Sequence, residues 1–372
     1  MTMKIIVKKE SFQQVLSNIQ GIVEKKSTFP VLSHVLLKAE EEFSLQATDL
    51  EISFSRKLED AKIIEEGSLC IPAKKLYDLV RELPAQKEIR IEGKENFWSN
   101  ISLEGISLDL PGIDPEDFPK LEDGEEGESF SFPFPKIRSM IEKTIFAASL
   151  QESRFNLNGI FMETVEKGGE RYLRFVATDG HRLSLVDRKM EKGGISEGVI
   201  IPRRGLIELR KMASEGDIRV HLKENKIAFS GENFSLLIRL LEGEFPDYKH
   251  VIPSMNDKRL TVNRRELVSA LRRAHVLASE RGEGVHFSIK ESEMVITAGG
   301  ADTGQMVERL SVRYEGEPLE INFNARYLLE ALNVMEGEEV KMELRDEESA
   351  GLMRPIEDED HLYVIMPMRM QV

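Results

Sequence analysis

The run from Thr178 to Arg182 (Thr-Asp-Gly-His-Arg) places three reactive side-chain types at four consecutive positions. A carboxylate or an imidazole can act as a general base, and a guanidinium can hold an anionic substrate. One alternative is therefore a cytoplasmic enzyme that uses Asp179, His181 and Arg182. Against it, Asp49 holds the same position of an internal repeat that has no histidine nearby. Because an aspartate at a strand end commonly closes a hydrogen-bonded turn, we favour a structural role.

The other reactive residues lack the spacing that catalysis, cofactor binding or metal binding requires. The seven histidines show no His-Glu-x-x-His pattern. Gly93-Lys94 is followed by Glu95, which does not fit a phosphate-binding loop. The four carboxylates at 357–360 could hold a hard cation, but such a run is usually a solvated loop. Cys70 is the single cysteine, so an internal disulfide and a multi-cysteine zinc site are excluded. We expect no catalytic site, no cofactor and no metal.

Length and composition indicate a cytoplasmic protein of several domains. The 372 residues are 41% apolar and 31% charged, and this length predicts two or three domains. No apolar run approaches the roughly 18–20 residues that cross a bilayer, so we expect no membrane partner. Near the start of the chain, charged residues follow only three apolar positions, and this apolar run is too short for the core of a signal peptide.

The chain resembles itself at intervals of about a third of its length, which indicates a repeat architecture. Each third opens with a short strand and an amphipathic helix, and later contains a strand that runs straight into a second helix. The opening strands begin at Lys4, Ser129 and Arg259, and the later junctions span 70–76, 200–206 and 321–327. The pattern predicts an α+β fold of three tandem units, each with two helices on one side of a largely antiparallel sheet.

Two proline-containing segments mark the expected boundaries between these units. Phe118-Pro119-Lys120-Leu121 leads into an acidic stretch over 122–128, and Phe245-Pro246-Asp247-Tyr248 leads toward Pro253. We interpret both segments as linkers. The predicted domains are therefore 1–127, 128–254 and 255–372.

The charges are distributed unevenly between helices and the rest of the chain. The net charge of −15 taken alone argues against a nucleic-acid partner. Yet the six predicted helices together carry +9, which leaves −24 for the remaining residues. Polar helix faces can carry lysine and arginine by chance, but basic helices in an acidic chain favour an anionic partner along the helical surface. The helices counted are 11–26, 74–82, 136–149, 203–213, 264–281 and 325–336.

Helix dimensions suggest how such a partner could be held. Packed helices lie ~8–10 Å apart, and six in a closed circle leave almost no opening once a helix diameter of ~10–12 Å is subtracted. Twelve helices would leave a hole of about 27 Å, which is wide enough for a DNA duplex of roughly 20 Å. We therefore expect that a dimer, and not a monomer, could surround duplex DNA.

Three motifs, together with the threefold repeat, make the whole chain similar to the bacterial DNA polymerase III beta subunits, the sliding clamps. The motifs are 176–183 (Val-Ala-Thr-Asp-Gly-His-Arg-Leu), 245–248 and 363–369 (Tyr-Val-Ile-Met-Pro-Met-Arg). The resemblance implies a DNA-clamp fold in which a head-to-tail homodimer forms a closed ring of six domains around double-stranded DNA. It also implies a processivity factor without catalysis. The implied partners are the replicative polymerase alpha subunit, a clamp loader, repair polymerases and other proteins with a clamp-binding motif.

The resemblance further implies a groove for partner peptides between the second and third domains. Flexible methionines would let one apolar slot accept several related sequences, with Arg182 and Arg369 fixing polar groups at its rim. The run 348–351 departs from the small, Ser- or Pro-containing wall common in the family, which leaves the detailed peptide preference open. The implied groove residues are Leu157, Thr178, Gly180, His181, Arg182, Leu183, Pro246, His250, Val251, Val364, Ile365, Met366, Pro367, Met368 and Arg369.

The same resemblance implies DNA contacts and a dimer seam. A sequence-specific DNA-binding protein is the remaining alternative, but it needs a recognition helix, whereas the basic residues here are spread over five helices. The implied dimer residues are Ile106 and Leu108, facing Val276 and Leu277. The implied DNA contacts are Lys26, Lys74, Gln151, Arg154, Arg203, Arg204 and Arg281.

Overall fold

Six helices occur in the part of the chain that the computed structural model describes, which comprises residues 3–23, 28–121, 127–212, 215–278, 284–300 and 304–369. Two helices fall in each third of the chain, as the repeat predicts. The first helix ends earlier than expected, and the predicted ends at 26 and 281 lie outside the described residues. The helices are α1 (Lys9–Ile19), α2 (Ala73–Glu82), α3 (Phe134–Thr144), α4 (Arg203–Arg210), α5 (Arg264–Ala278) and α6 (Ala325–Val334).

Every one of these helices follows a strand without an intervening loop. Proline is the last strand residue before α2, α3 and α4, which suits the unpaired N–H groups at a helix start. Asn263 and Asn324 cap α5 and α6 instead, because their side-chain oxygens accept first-turn backbone N–H groups at 3.0–3.1 Å. The strand-to-helix junctions predicted from sequence are thus confirmed, and side-chain capping is seen at the two that begin with asparagine.

The strands are antiparallel throughout the described pairs, and the chain divides into two compact units. The first unit comprises 1–135 and 204–240, and it contains two sheets. Its five-stranded sheet has the order β5-β1-β7-β8-β9, and its eight-stranded sheet has the order β10-β15-β16-β17-β4-β3-β2-β6. These strands are β1 (Lys4–Lys8), β2 (His34–Ala39), β3 (Phe43–Thr48), β4 (Ile52–Lys57), β5 (Lys62–Glu65), β6 (Gly67–Pro72), β7 (Glu88–Gly93), β8 (Ser99–Leu103), β9 (Ile106–Leu110), β10 (Glu128–Pro133), β15 (Asp217–Lys223), β16 (Lys226–Ser230) and β17 (Phe234–Arg239).

The second unit comprises 136–203 and 241–372, and it also contains two sheets. Its nine-stranded sheet has the order β14-β11-β12-β13-β26-β25-β24-β18-β22, and its four-stranded sheet has the order β21-β20-β19-β23. These strands are β11 (Gly159–Lys167), β12 (Glu170–Thr178), β13 (Arg182–Lys189), β14 (Val199–Pro202), β18 (Lys258–Asn263), β19 (Gly284–Lys290), β20 (Glu293–Gly300), β21 (Gly304–Ser311), β22 (Arg313–Glu315), β23 (Leu319–Asn324), β24 (Glu339–Leu344), β25 (Gly351–Pro355) and β26 (His361–Ile365).

The α+β class and the repeat are confirmed, but each repeat divides its strands between two sheets rather than building one. In the first unit, β4 of the first repeat pairs with β17 of the second. In the second unit, β13 of the second repeat pairs with β26 of the third. The long sheets therefore join consecutive repeats edge to edge, which buries strand edges that would otherwise be open.

Helix packing explains why the basic residues remain on the surface. In α2, Ala73, Leu76 and Val80 are buried at helical spacing, while Lys74 and Lys75 on the other side are exposed. In α5 the buried side chains again recur every three or four residues, and they join the third repeat's main apolar core. Apolar periodicity thus determines which face each helix buries and leaves most helix cations at the surface, with Lys9 of α1 and Lys143 of α3 as buried exceptions.

Both segments interpreted as linkers contain an aromatic residue that packs into the fold, and residues 122–126 of the acidic stretch lie outside the described residues. Phe118 is 5% exposed and packs with Leu36 and Cys70. Tyr248 is 4% exposed and packs with Phe161 and other apolar residues of the second unit. Their aromatic side chains anchor both segments, because burying each ring removes a large apolar area from water.

Candidate partner-binding groove and nucleic-acid interface

A tight turn between β12 and β13 is closed by its own threonine and aspartate. The Thr178 hydroxyl donates to the carbonyl of Arg182 over 2.6 Å and accepts the Gly180 N–H at 3.1 Å. Oδ1 of Asp179 accepts the backbone N–H groups of His181 and Arg182 at 3.0 and 3.1 Å. Gly180 has a φ of +88°, which glycine adopts at little cost. The Thr178 hydroxyl and the Asp179 carboxylate are therefore engaged in forming the turn.

The turn between β3 and β4 has the same hydrogen bonds, as the repeat predicted. Thr48 donates to the carbonyl of Ile52 at 3.1 Å and accepts the N–H of Leu50 at 3.0 Å. Oδ1 of Asp49 accepts the N–H groups of Glu51 and Ile52 at 3.0 and 2.7 Å. The same carboxylate arrangement thus occurs where no histidine is present, which favours the structural role of the aspartate over an acid–base role.

A cavity of about 120 Å³, here called cavity A, opens beside the 178–182 turn in the second unit. The pairing of β13 with β26 places Leu183 opposite Val364, and the Met366 N–H donates to the His181 carbonyl at 2.9 Å. The cavity brings together ten of the fifteen expected groove residues, namely Leu157, Thr178, Gly180, His181, Arg182, Leu183, Pro246, Val251, Val364 and Met366.

The other five expected residues lie outside the lining of cavity A. Ile365 is fully buried in the core, and the Met368 N–H donates to the Asn322 carbonyl at 2.8 Å. His250 is exposed and pairs with Asp247 at 2.8 Å. The exposed Arg369 pairs with a residue of the divergent wall, Glu348, at 3.1 Å. The remaining one is Pro367.

Tyr248 lines cavity A and was missed in the sequence analysis, although it belongs to the 245–248 motif. Its ring is buried against Phe161 and Phe245, which themselves stack with centroids 4.9 Å apart. Its hydroxyl accepts from Arg174 at 2.8 Å and donates to Glu163. Burial and the Glu163 carboxylate raise the pKa of the Tyr248 phenol, so it stays protonated. An aromatic residue two positions after Pro246 was the available signal.

Arg182 does not act as the expected rim cation. Its side chain is 5% exposed, and its Nε donates to Asp179 at 3.0 Å. One terminal nitrogen donates to Glu330, and the other donates to the Phe146 carbonyl at 2.7 Å. The guanidinium also lies over the Tyr327 ring, 4.1 Å from its centroid. With these partners, the buried Arg182 guanidinium stabilises the wall of cavity A from the protein interior.

The described residues contain no cluster of histidine, cysteine, aspartate or glutamate arranged to hold a metal ion. In the acidic run, Asp358 accepts from Arg188 at 2.6 Å and from Lys143 at 3.1 Å. Cys70 is 2% exposed, and burial raises the pKa of its thiol to about 12, so the thiolate nucleophile is suppressed. No described helix has both the length and the apolar character needed to span a bilayer.

Three family models match consecutive parts of the chain. They describe the N-terminal, central and C-terminal domains of the DNA polymerase III beta subunit, over residues 3–122, 132–247 and 249–369. The chain belongs to the DNA polymerase III beta subunit family. It therefore contains the three tandem clamp domains that its repeats predicted.

Relatives named beta sliding clamp match this beta subunit along nearly its full length. Those of Caulobacter vibrioides and Escherichia coli K12 are 33% and 34% identical, and each alignment covers 99% of this chain and 100% of the relative. The crystal structure of the Bartonella birtlesii sliding clamp bound to griselimycin has a TM-score of 0.94 at 36% identity, with complete coverage of both chains. The Bacillus subtilis clamp has a TM-score of 0.92 at 28% identity, also with complete coverage.

Of the seven expected DNA contacts in this beta subunit, Lys26 and Arg281 lie outside the described residues. Lys74 is exposed on α2 and pairs with Asp78 one turn later at 2.9 Å. Gln151 is exposed, and the exposed Arg154 donates to the Asp179 carbonyl at 2.8 Å. These three remain at the surface, where long-range attraction to phosphate is available.

The two adjacent arginines at the start of α4 behave differently. Arg203 is half-buried, and its Nε has no hydrogen-bond partner in the described part of the chain. Arg204 pairs with Asp49 and donates to the carbonyls of Gly21 and Ile22 at 3.0 and 3.1 Å. The Arg204 side chain is about half exposed, and its guanidinium also holds the segment after α1 and the Asp49 turn together, so its DNA contact stays a prediction.

The expected dimer residues lie at open sheet edges and on a helix surface. Ile106 and Leu108 are partly exposed on β9, the outermost strand of the five-stranded sheet. Val276 is 69% exposed on α5, and Leu277 beside it is partly buried near Gly304 at the start of β21. β21 is the outermost strand of the four-stranded sheet. Each unit thus ends in an edge strand with apolar side chains close by.

Proposed function

We propose that this chain is a sliding clamp. Two copies join head to tail into a ring that surrounds double-stranded DNA and tethers the replicative polymerase, with no reaction catalysed by the clamp itself. The observation that carries this proposal is the alignment with proteins named beta sliding clamp, which spans 99% of this chain and 100% of theirs. Similarity confined to one site could leave the function open. The alignment with these relatives instead extends over all three domains, which is what a ring of six domains requires.

Charge distribution supports a nucleic-acid partner for the helical surfaces. With their observed bounds, the six described helices carry a net charge of +8, although the whole chain carries −15. Cations spread over several helices favour contacts with phosphates, which carry no sequence information. Such contacts are weak one by one and salt-dependent, so they permit sliding. The residues outside the helices carry a net negative charge, which repels DNA from the other surfaces.

The edge strands support a head-to-tail dimer. A free strand edge presents unpaired N–H and C=O groups that a second strand can satisfy. Pairing β9 of one copy with β21 of another joins two different surfaces, and such an interface forms a ring when its rotation closes. Ile106, Leu108 and Val276 would then be covered, which accounts for apolar side chains at these edges.

Cavity A supports a role in holding peptide segments of partner proteins. Its size suits one apolar side chain, and Met366, which is 40% exposed, supplies a flexible wall. We assign the replicative polymerase alpha subunit, the clamp loader and repair polymerases to this shared site, so these proteins compete. We place the protein in the cytoplasm with its DNA.

Topology distinguishes a clamp from an ordinary DNA-binding protein. The ring, loaded by its clamp loader, is expected to stay on a nicked circular plasmid through gel filtration and to leave once the circle is cut with a restriction enzyme. Equal retention on circular and linear DNA would contradict encirclement.

The ring also requires a dimer, which sedimentation measures directly. The wild-type chain is expected to sediment as a dimer at micromolar concentration. Leu108→Lys places a charge at the seam and is expected to shift the mass toward monomer, while Leu103→Lys on the neighbouring strand β8 serves as the matched control. A monomeric wild-type protein would exclude the proposed ring.

A further inference from the structure

The first unit contains a counterpart of cavity A, built from equivalent residues of the first and second repeats. The turns 48–52 and 178–182 share their four hydrogen bonds, as described above. The Arg239 N–H donates to the Glu51 carbonyl at 2.9 Å, just as the Met366 N–H donates to the carbonyl of His181. Leu237 pairs with Ser53 as Val364 pairs with Leu183. The backbone frame of the groove therefore occurs twice in the chain.

This second frame also encloses a cavity of about 120 Å³, here called cavity B. Pro119 and Leu121 line it where Pro246 and Tyr248 line cavity A, because both sets come from equivalent Phe-Pro motifs. Its apolar surface comes from Leu50, Leu121, Leu237 and Pro119. A volume of this order suits one aliphatic or small aromatic group.

The two cavities differ in charge. Among the described residues, Lys120, Lys226 and Arg239 line cavity B together with one carboxylate, that of Glu51. Arg239 stands where cavity A has Met366, and it forms a loose exposed pair with Glu51 at 3.5 Å. An exposed pair of this kind contributes little, so an incoming carboxylate can replace it. Cavity B thus combines an apolar floor with a cationic rim.

Leu50 gives a second, independent reason to regard cavity B as a binding site. Its φ is +74°, at the position where the second repeat has Gly180. A bulky residue is costly in this left-handed region, by roughly 1–2 kcal/mol. The side chain is also 58% exposed, so packing does not compensate for that cost. Strain of this kind is typical of functional sites.

From these observations we propose that cavity B binds a short acidic peptide segment of a partner protein, with one apolar side chain in the cavity and flanking carboxylates on Lys120, Lys226 and Arg239. The inference rests in part on the proposed peptide-binding role of cavity A. Charge complementarity selects carboxylates, and the leucine-rich floor selects a peptide over a nucleic acid, because a duplex backbone offers no apolar side chain. Partners could then occupy the clamp through two chemically different sites.

The test uses the full-length protein with its leucine and valine methyl groups labelled for NMR. The probe is the capped hexapeptide Glu-Asp-Leu-Phe-Glu-Asp, and its control replaces every carboxylate by an amide. The acidic peptide is expected to shift the methyl signals of Leu50, Leu121 and Leu237 but not those of Leu183 and Val364. The amide peptide is expected to bind about tenfold more weakly.

Four variants test separately the charges of cavity B, its apolar floor and cavity A. Lys120→Glu combined with Arg239→Glu is expected to weaken acidic-peptide binding by about tenfold or more, and Arg239→Lys alone is expected to retain most of it. Leu50→Gly removes the exposed side chain and relieves the backbone, so it folds, yet it is expected to weaken binding severalfold. Met366→Ala, which alters only cavity A, is expected to leave acidic-peptide binding unchanged.

Three outcomes would overturn the proposal. The first is equal binding of acidic and amide peptides, and the second is movement of the Leu183 and Val364 signals instead. The third is tighter binding of a short DNA duplex to the same three leucines, which would make the surface a nucleic-acid contact. Binding of a polymerase alpha-subunit segment at cavity A is measured with the same labels, so failure there is distinguishable from failure at cavity B.

Discussion

Met366 donates its backbone N–H to the carbonyl oxygen of His181 over 2.9 Å, which ties the end of β26 to the turn that follows β12. This bond carries the chain from the last strand directly along cavity A, so the Met366 side chain becomes part of its wall. Met366 thus belongs to the candidate site, although its half-exposed side chain contributes little to the core.

Replacing Met366 should therefore affect partner binding and not folding. Met366→Ala is expected to weaken the binding of a polymerase alpha-subunit segment by about tenfold, because a flexible apolar contact is lost. Its 40% exposure means that the free energy of unfolding should change little. Fluorescence anisotropy measures the affinity, and urea denaturation measures the stability. Met255→Ala, at a methionine that is 71% exposed and outside the cavity, is the matched control; equal loss in both variants would contradict the assignment.

Gly180 is expected to be sensitive to any added side chain. An alanine Cβ there would lie 2.8 Å from a terminal nitrogen of Arg154, in a backbone with φ of +88°. Gly180→Ala should lower the free energy of unfolding by about 1–2 kcal/mol and displace Arg154 from the Asp179 carbonyl. Gly168→Ala is the control, because φ there is +58° and no atom lies within 4 Å of the added Cβ. If urea denaturation gave a larger loss of unfolding free energy for Gly168→Ala than for Gly180→Ala, the contact with Arg154 would not explain the cost at Gly180.

Repeat pattern and apolar periodicity were sufficient to predict the α+β class, the six helices and the turns at Asp49 and Asp179. These features depend on local sequence, because helix faces and turn hydrogen bonds involve residues close together in the chain. The sharing of strands between sheets could not be predicted in the same way. It depends on pairings such as β4 with β17, which lie far apart in sequence.

For the candidate site, the sequence predicted which residues come together but not the contacts that their side chains make. Ten of fifteen groove positions line cavity A, because the turn, β13 and β26 bring consecutive motif residues to one place. The role of Arg182 was mispredicted, since its partners Glu330 and Phe146 are distant in sequence. The contacts of Arg204 with Gly21 and Ile22 could not be predicted for the same reason, because they exist only in the folded unit.

The two arginines at the start of α4 should have separable effects. Arg204→Ala removes three contacts and is expected to lower the free energy of unfolding by about 1–3 kcal/mol in urea denaturation. Arg203→Ala is expected to affect stability less and to reduce the slope of log affinity against log salt for DNA by about 0.9, the value for one phosphate contact. An unchanged slope in Arg203→Ala would remove that residue from the interface. Unchanged stability in Arg204→Ala would contradict its role in holding α1 to the Asp49 turn.

His361 should make the folded protein sensitive to mild acid. It is fully buried, and burial, reinforced by the Lys143 ammonium, lowers the pKa of its imidazole from the usual 6.5 to about 3. Between these values the unfolded chain binds a proton at His361 and the folded chain does not. The stabilising contribution is therefore complete above pH 6.5 and is lost progressively as the pH falls toward 3, by up to about 1.4 kcal/mol per pH unit.

His361→Gln cannot take up this proton and isolates its effect. Urea denaturation of both proteins at several pH values from 7 to 4 is expected to show a steeper fall in the free energy of unfolding for the wild type. The difference should begin near pH 6.5, well above the range in which carboxylates such as Asp358 titrate, because the Arg188 and Lys143 cations overcome burial and keep the pKa of Asp358 low. Parallel profiles for the two proteins would mean that His361 is protonated in the fold. The wild type would then need a buried counter-charge at this position, and the nearest candidate is Asp358, which already accepts from both cations.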